Sequence, residues 1–148
     1  MTARKADRFA EILLVRRLQR EVAERLAGTA TDAVRRLEAG RGPLQQALDE
    51  MVGGFRRHLM ERSFDPMMSA GWLELVAEGD EALVDHDGQI DLAREEAQEA
   101  ERGWYRAQGR EALAGDLARQ AGRRERRLAE ERRMADHADR LLLRERSR

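Results

Sequence analysis

An all-α fold, an elongated antiparallel two-helix coiled coil with a C-terminal helical overhang, is predicted by three observations. The composition favours helix, a heptad pattern runs through the second half, and one strong reversal signal lies near the middle. With 148 residues, 39% charged and only 4% aromatic, the chain has little material for a globular core. Arginine, glutamate, alanine and leucine dominate, only two prolines interrupt, and no strand-forming runs occur. The chain is expected to form a single hairpin over residues 1–148.

The first helix is expected over about residues 4–62. Its apolar stripe runs Ile12, Val15, Leu18, Val22, Leu26, Ala30, Ala33, Leu37, Gly40, Leu44, Leu48, Met51, Phe55 and Leu59. That is forty-seven residues over thirteen intervals, a mean step of about 3.6, which describes a nearly straight amphipathic helix. "GRGP" at residues 40–43 is expected to kink or interrupt it, because Pro43 lacks a donor and disfavours helical geometry at Gly42. A true reversal there, giving three helices, is the competing topology.

"SFDPMMSAG", residues 63–71, is the expected turn, with Pro66 stopping one helix and Ser69 capping the next. The second helix is expected over about residues 70–146. Steps of four and three from Trp72 give Val76, Gly79, Leu83, His86, Ile90, Ala93, Ala97, Ala100, Trp104 and Ala107; the seven-residue series continues through Ala114, Ala121, Leu128, Ala135 and Leu142. Alanine in so many seam positions buries little area, so the pairing is expected to be only moderately stable. A turn near Pro66 pairs residues whose numbers sum to about 133, placing Lys5 opposite Leu128. The last twenty residues then overhang by roughly 30 Å.

"DHDGQIDL", residues 85–92, imitates a calcium loop, yet that alignment puts Leu83 and Arg94 at its first and twelfth positions, where ligands are needed. Its acids fit a solvated helix face instead. Cysteine is absent, which excludes disulfides and thiolate chemistry, and His58, His86 and His137 are too far apart for helical zinc spacing. "GRGPLQQ" lacks the second glycine and lysine of a phosphate-binding loop, and a narrow hairpin offers no cleft to tune a catalytic carboxylate. No enzyme, cofactor, metal or small-molecule ligand is expected. "ILLV", residues 12–15, is too short for a signal-peptide core or a membrane span.

A net charge of −1 conceals segregation. Residues 1–42 carry ten basic and six acidic groups, residues 74–101 one and eleven, and residues 122–148 ten and six. Doubling back brings the two basic ends together and leaves the acidic segment near the turn. In "GRRERRLAEERR", residues 122–133, glutamates interleave the arginines, favouring a self-paired solvated face over a nucleic-acid surface.

Three stretches resemble the FliJ family, stalk components of the flagellar type III export apparatus, with YscO-like relatives in virulence secretion. "RLAEERRMADHADRLLLR", residues 127–144, looks like the family's C-terminal signature: Met134, Asp136, Ala138 and Arg140 match, and His137 stands where an aromatic is usual. "MSAGWLELVAEGDEAL", residues 68–83, resembles the start of the second helix through Trp72, and "FAEILLVRRLQREVAERLAG", residues 9–28, is similar to the opening helix.

The resemblance covers essentially the whole chain and implies a cytoplasmic, non-enzymatic protein at the inner face of the membrane. Its partners would be an export ATPase hexamer, the membrane export gate and export chaperones, with no nucleic acid. It implies an ATPase-facing terminal coil bearing Arg16, Arg17, Arg20, Arg124, Arg127 and Arg133. It also implies a gate-contacting surface at Leu44, Leu48, Met51, Phe55, Leu83, His86 and Ile90, with Gly79 where an aromatic is expected; these positions belong to the internal seam as well. A YscO-like virulence stalk, a general coiled-coil chaperone or adaptor, and a nucleic-acid-binding rod remain as alternatives.

Overall fold

A computed structural model describes the backbone of residues 3–146 and the side chains of residues 7–144. The protein is an all-α hairpin of two long helices, α1 (Ala3–Leu59) and α2 (Pro66–Arg146), packed antiparallel. It divides into two compact units: residues 25–102, containing the turn, and residues 1–24 with 103–148, containing both ends. The juxtaposition expected for Lys5 lies outside the described side chains.

α1 runs unbroken through Pro43, so the reversal at "GRGP" does not occur. Contacts with α2 hold the helix on both sides of the proline. His86 Nε2 donates to the Leu37 carbonyl at 2.6 Å, and Leu48 sits against Gly79 where a Cβ would be 3.2 Å from its Cδ1. Such tertiary contacts offset a proline cost of about 3 kcal/mol in a helix interior.

The turn is shorter and earlier than residues 63–71, occupying residues 60–65. α1 closes with tight bonds from Met60 N to Arg57 O (3.1 Å) and Glu61 N to His58 O (3.2 Å). Pro66 begins α2 rather than ending α1, because a first-turn residue needs no donor and its fixed φ suits the helix. Asp65 is the cap: its Oδ1 accepts from Met67 N at 3.0 Å and its carbonyl from Ser69 N at 3.0 Å. Ser69 is instead buried, its Oγ 3.1 Å from Nε2 of the buried His58, with Phe64 stacked on the imidazole at 6.1 Å. Asp65→Ala is expected to cost about 1 kcal/mol in urea denaturation, and an unchanged midpoint would show that the cap contributes nothing.

On α2 the inward residues follow the predicted seam from Trp72 to Leu128, all buried or half-buried. From Ala129 to Arg144 every side chain is exposed. On α1 the predicted stripe holds from Ala30 to Phe55 but fails nearer the N-terminus, where Ile12, Val15, Leu18, Val22 and Leu26 are 46–60% exposed. Phe9, Leu13, Arg16, Arg20, Ala23 and Ala27 face inward there. The inward positions of α1 from Phe9 to His58 span forty-nine residues in fourteen steps, a mean of 3.5. A seam of that period drifts by about 20° per heptad from any straight-helix stripe, which is why the 3.6-residue pattern leaves it.

Candidate functional site

In the unit containing the turn, two arginines tie the helices together across the seam. Arg41 grips Asp87 with both ends of its guanidinium (2.7 and 3.1 Å), and Arg94 binds Glu38 Oε1 at 2.7 and 3.2 Å. A shallow hollow of 330 Å³ lies among Glu38, Arg41, Asp87, Ile90, Asp91 and Arg94. Its charges are largely satisfied by one another. Two of the three acids of the calcium-like stretch are accounted for in the same way, Asp87 belonging to Arg41 and Asp91 lying 3.7 Å from Arg94, while Asp85 is exposed. Among the described residues no group of three or more His, Cys, Asp or Glu is placed to hold a metal ion.

The Arg41 hydrogen bond holds the Asp87 carboxyl below the ordinary carboxylate range. A depressed folded pKa means that the pair stabilises the unit above the unfolded value of about 3.9 and loses that contribution as pH falls through the lower folded value. Asp87→Asn should therefore narrow the stability difference between pH 7 and pH 3. The effect at neutral pH should be small because the pair is exposed. Urea midpoints of the two proteins at both pH values provide the measurement.

The residues assigned to a gate-contacting surface form the packed seam. Ile90, Leu83 and Leu48 are only 4%, 8% and 9% exposed, and Leu44, Met51, Phe55 and His86 are half-buried. Leu48 and Met51 both fill the space left by Gly79. Leu48, Leu83 and Ile90 are consumed by internal packing and offer no free surface. Half-burial leaves Leu44, Met51, Phe55 and His86 partly accessible.

In the unit formed by the two ends, the six assigned arginines do not form one cluster. Arg20 is the centre of a helix-to-helix link: Nε donates to Glu111 Oε2 at 2.8 Å and Nη1 to Glu24 Oε2 at 2.6 Å, while Arg17 Nε lies 3.5 Å from Glu111 Oε1. Arg16 is half-buried and donates to Gln19 at 2.8 Å. Glu111, four residues beyond the seam residue Ala107 and three before Ala114, thus takes its partners from the arginines of α1. Arg124, Arg127 and Arg133 are exposed, at about 20 to 33 Å along α2 from Glu111. This unit carries nineteen basic and twelve acidic residues, a net +7, against nine and seventeen, a net −8, in the other.

No protein-family model, curated protein or solved structure matches this chain. Its chemistry therefore has to be read from its own surfaces. Two features of the terminal unit stand out from the packing: the bare end of α2 and the exposed apolar face of α1 between Ile12 and Val22. The second escaped sequence reasoning because those residues were assigned to the seam. The signal that could have found it was Phe9–Leu13–Arg16–Arg20 in register with Glu111, once a 3.5-residue period is imposed.

No described helix is long and apolar enough to cross a membrane.

Proposed function

We propose that this chain is a non-enzymatic stalk of a bacterial type III protein-export apparatus, of the flagellar kind, whose basic terminal unit enters a ring of export ATPase subunits and promotes its assembly and turnover. The observation that carries the reading is the bare end of α2. Met134, Asp136, Ala138 and Arg140, the residues of the FliJ-like signature, are all exposed there, with Met134 at 75%. Residues freed from internal packing are available to a partner outside the hairpin. Arg17, Arg124, Arg127 and Arg133 supply exposed cations on the same unit, and exposed pairs of low individual strength allow a shaft to exchange partners within a ring.

Arg16 and Arg20 take a different role in this proposal, setting the pairing of the helices. Contact with the export gate would use the half-buried Leu44, Met51, Phe55 and His86.

The test is to add the chain to the export ATPase of the same cell and follow ring formation and ATP turnover. Both should rise, and the triple variant R124E/R127E/R133E should abolish the effect while retaining its helical content. An ATPase that responds in neither respect at saturating chain concentration would refute the stalk.

A further inference from the structure

The exposed face of α1 in the terminal unit has a self-complementary order. Glu11, Val15, Leu18, Val22 and Arg25 follow one another at steps of four, three, four and three, the spacing of a helix-pairing seam. This second seam lies on the side of α1 away from α2, roughly 170° around the helix from the packed positions Phe9, Leu13, Arg16 and Arg20. Val15, Leu18 and Val22 are 51%, 54% and 55% exposed, and the neighbouring Leu14 is 59% exposed. Glu11 and Arg25 are exposed and form no ion pair with other described residues.

We propose that this face binds the same face of a second copy of the chain, antiparallel and about a two-fold axis at Leu18. Reversal of the order matches each end with its opposite. Glu11 meets Arg25 of the other copy, Val15 and Leu14 meet Val22, and Leu18 meets itself. A two-fold interface must be self-complementary in this sense, and a parallel arrangement would instead place glutamate on glutamate and arginine on arginine.

The packing of α1 supplies the driving force. Most of its larger aliphatic side chains face outward, while Phe9 and Leu13 share the side facing α2 with alanines and arginines, so the terminal unit buries little apolar area by itself. The half-exposed Leu14, Val15, Leu18 and Val22 present on the order of 350 Å² per copy, and the stems of Glu11 and Arg25 extend it toward about 500 Å², at the small end of specific interfaces. A reversible dimer with a dissociation constant on the order of 10 µM is expected. The proposal does not depend on the export reading.

Sedimentation velocity from about 1 to 200 µM should show a monomer–dimer equilibrium. A chain that stays monomeric throughout would overturn the proposal. E11R alone and R25E alone should each weaken association by about tenfold; an equimolar mixture of the two should recover it, as should the double variant E11R/R25E. Recovery in neither case would overturn the antiparallel register. Because the chain lacks cysteine, L18C provides an independent readout. Oxidation should give a disulfide-linked dimer rapidly, whereas Q46C, on an exposed part of α1 outside this face, should not. Equal crosslinking by both variants would show collision rather than docking. These substitutions lie on exposed positions, and circular dichroism of each variant separates loss of pairing from loss of helix.

Discussion

Ile90→Ala is expected to lower the unfolding free energy of the turn-containing unit by about 3 kcal/mol, measured by urea denaturation. Ile90 is 4% exposed, the most buried apolar side chain of the seam. Along α2 the seam beyond it consists of Ala93, Ala97 and Ala100, so on that side no larger side chain is present to fill a void. Truncation therefore loses both the transfer energy and the contacts around an unfilled cavity, the two terms that set such costs. Ile90→Val removes one methylene and should cost about 1 kcal/mol, so the two variants calibrate each other. A cost below about 1 kcal/mol for the alanine would mean that the seam is looser than its burial indicates.

The second large effect is a contrast of sign between two glycines. A Cβ at Gly54 would stand 2.6 Å and 2.9 Å from the Trp72 ring, whereas at Gly88 it would meet nothing within 4 Å. Both residues lie within helices, so adding a methyl gives each the same local gain of about 1 kcal/mol. At Gly88 that gain is unopposed, and Gly88→Ala should stabilise by about that amount. At Gly54 the indole packs over the missing side chain, and a rigid ring cannot give way as a flexible chain end does. Gly54→Ala is expected to destabilise by about 2 kcal/mol through displacement of Trp72. Trp72→Leu in the same background should recover part of the loss. Failure of that rescue would place the damage in the backbone rather than in the ring.

Much of the fold was legible because heptad periodicity is a local property of sequence. Trp72, Leu83, Ile90, Ala93 and Leu128 announced one face of α2, and the helix put that face inward. The turn was harder to place. Pro66 signals a boundary without saying on which side of it the helix lies, and the decision went to Asp65, whose side chain caps the next helix. Ser69 has the chemistry of a cap but a better use under His58. Of the candidate sites, the arginines were visible as charges, but only a 3.5-residue period, which the apolar stripe of α1 does not follow, separates Arg20, held by Glu111, from Arg124 and Arg133, which face solvent.

By itself the sequence determined that this chain is helical, that it turns back near its middle, and that its basic residues gather toward its two ends. These follow from propensity, periodicity and the position of a proline, all of which act over a few residues. Only tertiary structure decided the rotation of α1, because the pairing follows a 3.5-residue seam set by the facing helix, not the direction of greatest hydrophobicity. That rotation leaves Val15, Leu18 and Val22 exposed and draws Arg20 inward to Glu111. It thereby determines which residues the protein can offer to a partner.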